Sequence, residues 1–343
     1  MRGVVAPSVA DRPLRLGTRG SALALAQANA VAKALGGAEV VPIKTSDQPE
    51  TGRADARPRI EPGGDKARFV REIERALLDG EVDLGVHSAK DLPTDLPEDL
   101  EIAGVPERGD ARDAYVGHVD SLGEVPAGSR IGTSSLRRRA QILARRPDLE
   151  VIELRGNVDT RLGRYEAGDF DGLVLAAAGL SRLGRAEEIA FAIDPDECVP
   201  APGQGAIVIE SRRSDDRATT AAESITDRGA LGLLTAERSL VAALDASCNT
   251  PLGANAAFEY GGRMRLRAFC GLPDGSEWLR DELEEDASDP EALGVALADR
   301  MKAAGASDIL ARAESMADMR GRSDDARARD SATRSEPEER PVS

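Results

Sequence analysis

Ser129 to Arg161 reads SRIGTSSLRRRAQILARRPDLEVIELRGNVDTR. The spacing predicts a strand over Ser129 to Thr133, a helix over Ser134 to Arg146, a strand over Glu150 to Leu154 and a helix near Asn157 to Ala167. Each strand ends in small or basic residues that open the next helix. Two consecutive βα units of this kind imply a mainly parallel sheet covered by helices on both faces, with ligands beyond the carboxyl ends of the strands. A further strand over Gly172 to Ala176 continues the pattern.

The same alternation extends outward. Leu14 to Gly17 reads as a strand, Ser21 to Leu35 as a helix with Ser21 as N-cap and Gly36-Gly37 as its stop, and Glu39 to Lys44 as the next strand. Thr45 to Asp65 is polar, rich in Gly, Pro and Arg, and aperiodic, which marks a long loop of the kind that often serves as a lid. A helix is expected over Phe69 to Leu78 and a buried strand over Val82 to Val86. Beyond Pro200-Ala201-Pro202-Gly203-Gln204-Gly205 come a strand over Ala206 to Glu210 and two helical stretches ending near Leu244. Strands over Ala254 to Tyr260 and Arg263 to Phe269 and a helix near Pro290 to Ala304 suggest a small α+β unit. The stretch from about Glu314 to Ser343 is charged, with almost nothing to bury, and is expected to be disordered.

Composition narrows the function classes. With 343 residues the chain can hold two or three cores. Its longest apolar run, Gly172 to Leu180, is about half of the roughly 20 residues a membrane span needs. The N-terminal stretch lacks a sustained apolar segment before a cleavage site, so a cytoplasmic protein without a membrane partner is expected. A net charge of -16 argues against nucleic acid as a partner. Of 45 basic residues only five are lysines, so 40 are arginines. A carboxylate-rich, lysine-poor surface suits a salt-screened medium and suggests a halophile, although a GC-rich genome would bias codons the same way. The cysteines, Cys198, Cys248 and Cys270, fit neither a disulfide framework nor a metal pair, and two histidines, His87 and His118, argue against zinc.

Gly132-Thr133-Ser134-Ser135-Leu136-Arg137-Arg138-Arg139 has the makings of an anion cradle: a strand end, small hydroxyl residues and arginines entering a helix. By itself it is equally a Ser N-cap followed by solvated arginines. Leu154-Arg155-Gly156-Asn157-Val158-Asp159-Thr160-Arg161 repeats the arrangement one unit later, and Arg19 and Arg182 occupy comparable positions. So many cations suit a ligand carrying several carboxylates. His87-Ser88-Ala89-Lys90-Asp91-Leu92-Pro93 follows a strand. Asp91 there is either a turn former before Pro93 or a carboxylate that stabilises a developing cation and moves protons, with Lys90 beside it. Cys248, in a loop of small residues, is either a small hydrophobe or a nucleophile or tether. Cys198 and Cys270 read as buried hydrophobes.

Thr18-Arg19-Gly20-Ser21, the His-Ser-Ala-Lys-Asp-Leu-Pro run, Arg112-Asp113-Ala114, the two arginine segments, Ala176-Ala177-Ala178-Gly179-Leu180 and Gly203-Gln204-Gly205-Ala206 together resemble hydroxymethylbilane synthase (porphobilinogen deaminase), in order and spacing, from about Leu14 to about Arg312. The resemblance implies a transferase that joins four porphobilinogen molecules head to tail, releasing ammonia from each, on a dipyrromethane cofactor tethered by a thioether to Cys248. It implies carboxylate-binding roles for Arg19, Arg137, Arg138, Arg155, Arg161 and Arg182. Asp91 becomes the carboxylate that stabilises the azafulvene cation left by ammonia, with Lys90, Ser21, Thr133, Ser135, Gln204 and Gly205 at neighbouring binding positions. Here Gly63-Gly64-Asp65-Lys66-Ala67-Arg68-Phe69 departs from the family's Gly-Gly-Lys-Gly-Leu-Phe, and Ala246 and Ser247 stand where glycines usually precede the cysteine.

The fold implied is α/β, with two periplasmic-binding-protein-like βα domains plus a small α+β C-terminal domain. The divisions expected are 13–110 with 203–222, which carries Asp91; 111–202, which carries most of the arginines; 223–313, with the cofactor loop; and a tail over 314–343. A monomer is expected. Two other classes share some of these features: a non-catalytic polycarboxylate-binding protein of periplasmic type, and a thiol enzyme acylated on Cys248, which needs a nearby base.

Overall fold

The structure, a computed structural model, describes residues 12–43, 64–246 and 250–316. The expected loop from Thr45 falls almost wholly outside these residues, as do Cys248 and the tail from 317 onward.

The first sheet is built from β1 (Arg15–Arg19), β2 (Glu39–Ile43), β3 (Leu84–Ser88) and β4 (Leu100–Gly104), with α1 (Ala22–Ala34) and α2 (Gly64–Leu78) as its early helices. Ser21 caps α1, its Oγ accepting from the Ala24 N–H at 3.4 Å. Gly36 and Gly37 at φ 79° and 122° end it, a backbone conformation that costs glycine least. α2 begins at Gly64, five residues before the expected start at Phe69, because Asp65-Lys66-Ala67-Arg68 is helix-compatible but carries no apolar period to announce it.

The chain then crosses to a second sheet made of β5 (Asp113–Val116), β6 (Arg130–Gly132), β7 (Glu150–Ile152), β8 (Gly172–Ala176) and β9 (Phe191–Ala192), with α3 (Leu136–Arg145), α4 (Val158–Glu166) and the short α5 (Ala177–Arg182). It returns through Val199 to Ala206 to insert β10 (Ile207–Arg212) into the first sheet, followed by α6 (Asp216–Ser224). The strand orders are β2-β1-β3-β10-β4 and β7-β6-β8-β5-β9.

In each sheet one strand runs against the rest: β10 is antiparallel to β3 and β4, and β5 to β8 and β9. These are the strands delivered by the two crossings. The mainly parallel expectation therefore holds for direction, with one reversed strand per sheet. On β3 and β10 the residues Leu84, Val86, Ile207 and Ile209 pack under α1 with Ala28 and Val31. Gly85, His87, Val208 and Glu210 point to the opposite side, where α2 lies, by the two-residue alternation of a strand.

The C-terminal unit is a meander of β11 (Leu252–Glu259), β12 (Arg263–Gly271) and β13 (Trp278–Asp286) covered by α7 (Arg228–Ala243) and α8 (Pro290–Ala303). Leu240, Met264, Leu266, Leu297 and Met301 fill its core, joined by Ile309 and Leu310 from a helical stretch over 306–316. That stretch reaches past the expected start of the tail, and Thr250 Oγ1 donates to Glu314 Oε1 at 3.0 Å. Sequence reading missed β13 because it is charged at six of nine positions and turns only Leu279 and Leu283 toward the core. At Gly294 any side chain would stand 2.5 Å from the Ala236 carbonyl, so glycine is what lets α7 and α8 approach.

A buried carboxylate on α7 ties these parts together. Glu237 accepts from Arg108 Nη1 and Nη2 at 2.9 and 3.0 Å, from the Gly203 N–H at 2.7 Å and from the Ala256 N–H at 2.8 Å. Those four bonds reach the outgoing crossing, the returning crossing and the C-terminal sheet. With its oxygens fully bonded, the charge is tolerated at zero exposure.

Candidate active site

The carboxyl ends of β1, β3, β6, β7 and β8 bring together most of the residues singled out by sequence. Arg19 ends β1, and its guanidinium stacks 3.9 Å from the centre of the Phe69 ring of α2. Ser21 caps α1. Lys90 and Asp91 sit half-buried in a 3₁₀ turn, Ala89–Asp91, directly after β3.

That turn is braced by the returning crossing. The Ala89 N–H donates to the Ala206 carbonyl at 3.1 Å. Gly203, at φ 70°, leaves only enough room that an added Cβ would lie 2.8 Å from Ala89 Cβ. Gly205, at φ 84°, would place a Cβ 2.5 Å from the Gly109 carbonyl. Its own carbonyl accepts from the Gly109 N–H at 3.0 Å and from Arg182 Nη2 at 2.7 Å. Segment 203–205 thus touches the Asp91 turn on one side and an arginine of the second sheet on the other.

In the second sheet the hydroxyls serve the backbone. Thr133 is buried, and its Oγ1 accepts from the Ser135 N–H at 3.3 Å. Ser135 caps α3 by accepting from the Arg138 N–H at 3.4 Å.

Arg137 and Arg138 differ from the cradle expectation. Both are buried, and the carboxylate they meet is the protein's own Asp113, at zero exposure on β5. Arg137 donates through Nη1 at 2.7 Å and Nη2 at 3.1 Å, Arg138 through Nε at 2.9 Å, and Gln204 Nε2 adds a bond at 2.8 Å. Burial alone would raise the Asp113 carboxyl, but the two guanidinium charges and these hydrogen bonds outweigh it and hold it below the usual carboxylate range. Gln204 also donates to the Ala111 carbonyl at 2.7 Å, so the knot fastens the returning crossing to the outgoing one.

The other arginines are placed differently. Arg155 is exposed and pairs with Glu153 at 2.6 Å. Arg161 donates through Nε to the Gly156 carbonyl at 2.8 Å, and Arg182 to the Gly205 carbonyl. Among the described residues Arg19, Arg161 and Arg182 form no ion pair with a carboxylate. Burial pushes the guanidinium of Arg161 down from its ordinary range, with Arg138 nearby adding to the effect, and burial does the same to Arg182. Cations taken out of water without a counter-charge are costly, and an arriving carboxylate offsets that cost.

Cys198 and Cys270 are buried, as expected. Burial, aided by Asp113, pushes the Cys198 thiol up to about 12, and burial pushes Cys270 up to about 12. Neither supplies a thiolate near neutral pH.

Sequence reasoning gave no role to Asp113, Arg108 or Glu237. Asp113 carried a signal, a charged residue opening an otherwise apolar strand. Arg108 and Glu237 carried none, since a crossing arginine and a helical glutamate look like solvated surface.

Residues 14–220 match the family model described as porphobilinogen deaminase, dipyromethane cofactor binding domain, and residues 232–303 match that of the porphobilinogen deaminase C-terminal domain. The chain belongs to the porphobilinogen deaminase family. A porphobilinogen deaminase of Thermus thermophilus is 45% identical over 304 residues, covering 88% of this chain and 99% of its relative. One from Caulobacter vibrioides is 42% identical over 321 residues, covering 87% and 98%. Among solved structures, a TRAP periplasmic solute binding protein from Desulfovibrio salexigens is similar at TM-score 0.38 and 11% identity, over 64% of this chain and 74% of that one.

The residues present fit the cofactor of this deaminase family. A dipyrromethane built from porphobilinogen units bears acetate and propionate groups, and Arg161 and Arg182, which pair with no carboxylate among the described residues, are of the kind that such groups pair with.

The two classes of arginine separate on substitution. Arg137→Leu leaves Asp113 short of a partner in the interior, and should cost about 3 kcal/mol in denaturant unfolding. Arg161→Leu strands no carboxylate and should stay within about 1 kcal/mol. Equal losses for the two would remove the distinction.

Proposed function

We propose that this chain joins four porphobilinogen molecules head to tail into hydroxymethylbilane, releasing ammonia at each addition. The observation that carries the reading is the juxtaposition of the Asp91 turn with the half-buried Arg182 through segment 203–205, in a chain of the porphobilinogen deaminase family.

Arg19, Arg161 and Arg182 would bind acetate and propionate groups of the cofactor and the growing chain, with Arg155, Lys90, Ser21, Thr133 and Ser135 at neighbouring positions. A guanidinium fork fixes a carboxylate in two directions, so each pyrrole ring is oriented as well as held. Arg137 and Arg138 would act from behind, positioning β5 and Gln204 through Asp113. The dipyrromethane supplies an electron-rich pyrrole carbon as primer when bound. Asp91 would stabilise positive charge on a pyrrole as ammonia leaves, and would take up and return the proton that each bond formation displaces. Its half-buried setting strengthens that electrostatic effect relative to water. Cys248, outside the described residues, is proposed as the thioether attachment point, on the loop between α7 and β11.

The proposed domains are 13–110 with 203–222, 111–202 and 223–313. The insertion of β10 into the first sheet supports the discontinuous first domain, although α6 packs on that sheet as far as Ala222 and ends at Ser224. No helix among the described residues is long and apolar enough to cross a membrane. A cytoplasmic monomer is proposed, and a salt-rich cell is proposed from composition.

Intact mass of the purified protein with peptide mapping should place a dipyrromethane adduct on Cys248, absent in Cys248→Ser. Failure to form one, even after incubation with porphobilinogen, would return the anion-binding reading. Asp91→Asn should keep the adduct and the fold but lower turnover by at least about a hundredfold; near-normal turnover would exclude Asp91 from the reaction. If the surface is salt-adapted, Tm should rise between about 0.1 M and about 2 M KCl, as screening relieves carboxylate repulsion. An unchanged or falling Tm would leave codon bias as the explanation.

A further inference from the structure

Beneath the turn that bears Asp91 lies a buried set of ionisable groups with no part in the reading above. Glu210 pairs in register with Gly85 and emerges on the α2 side of the sheet, as does His87. His87 Nε2 lies 3.0 Å from Glu210 Oε2, with the residues 5% and 0% exposed. Glu74, on α2, is 7% exposed. The elements converge over Gly85, where an added Cβ would stand 2.9 Å from His87 Nε2, 3.0 Å from Ile73 Cγ2 and 3.1 Å from Leu77 Cδ1.

The charge balance is restrictive. Two ionised carboxylates beside a neutral imidazole would place two negative charges in a space largely closed to water. Burial first, then Glu210, pushes the Glu74 carboxyl up to about 7, against the pull of His87 and Arg71. The other charged groups on elements packed against α2 have different contacts. Arg212 of β10 donates to the Leu77 and Val82 carbonyls and pairs with Asp215, Arg15 of β1 pairs with Asp83, and Arg19 stacks on Phe69. Glu39 of β2 is exposed, Lys90 and Asp91 lie in the turn, and Arg75 on α2 pairs with Asp79.

α2 is also the element that reaches both parts of the first-sheet site. Phe69 carries Arg19, and Val70, one turn before Glu74, packs with Ala89 and Leu92 on either side of Lys90 and Asp91. We propose that Glu74, His87 and Glu210 form a protonation-dependent support in which Glu74 is a positioning residue for the Asp91 turn and Arg19. With its proton, Glu74 lets α2 seat against β3 and β10. Without it, repulsion from Glu210 loosens that seat. The proposal rests on the role given to Asp91 above.

Glu74→Gln keeps the shape and stays uncharged, so it should mimic the protonated form. Wild type and variant are compared for turnover of porphobilinogen and for Tm from about pH 6 to about pH 9. The ratio of variant to wild-type kcat should rise roughly three- to tenfold over that range, with KM equal at the acid end. A carboxyl raised in the folded state contributes stability at low pH that is lost as pH rises through about 7, so wild-type Tm should fall relative to the variant across that span. A Tm difference independent of pH would overturn the buried-charge argument. A pH-dependent Tm difference with a flat kcat ratio would overturn the link to Asp91. No turnover in either protein, with the Tm effect present, would overturn the functional reading on which the proposal rests.

Discussion

Asp113 has no exposed surface, yet it carries a charge that three side chains from two segments satisfy. Around it the second sheet, the outgoing crossing and the returning crossing are held in one arrangement, because each donor that moves away leaves a buried carboxylate short of a bond. Ion pairs of this kind contribute little net stability over an apolar core of equal shape, but they admit few alternatives. Glu237 has the same part at the other end of the crossings, where it links Arg108, Gly203 and the C-terminal sheet. Two buried carboxylates therefore specify how the two five-stranded sheets and the C-terminal unit sit together.

The site inherits its geometry from those crossings. Segment 203–205 lies against the Asp91 turn at Gly203 and receives Arg182 at Gly205, and no side chain fits at either glycine. The turn of Asp91, the proposed reacting carboxylate, and Arg182, a proposed ligand-binding cation, are thereby set by one stretch of backbone. The arginines divide according to what they face. Arg137 and Arg138 meet Asp113 and stabilise the frame, whereas Arg161 and Arg182 are half-buried and pair with no carboxylate among the described residues. A polycarboxylate ligand turns that electrostatic cost into affinity.

Below the first sheet the balance runs the other way, with more buried acid than base. Glu210 pairs with the one buried imidazole, His87, while Glu74 is buried on the facing helix, and α2 reaches both Arg19 and the turn of Asp91. A rigid helix in contact with both can pass a change of charge to the site without any large movement.

Much of the architecture was legible in the amino-acid order. The 3.6-residue and two-residue periods located α1, α3, α4, α7 and α8 and the inner strands other than β5, since an element buried on one side must repeat its apolar residues at its own period. β13 escaped because an edge strand needs few apolar residues, and the start of α2 escaped because it has no apolar period. The motifs located the Asp91 turn and the arginine segments, since strand ends that open helices have a local signature. Local sequence could not say which arginines would meet the protein's own carboxylates. Arg137 and Arg161 both lie in the first turn of successive helices, and only Arg137 meets Asp113, contributed by a strand 24 residues before it. The sequence by itself determined most of the elements, the βα order and the candidate residues for chemistry, because each depends on neighbours along the chain. Only the tertiary structure decided which charges meet a carboxylate of the protein and which do not, because electrostatic partnership depends on distance through space.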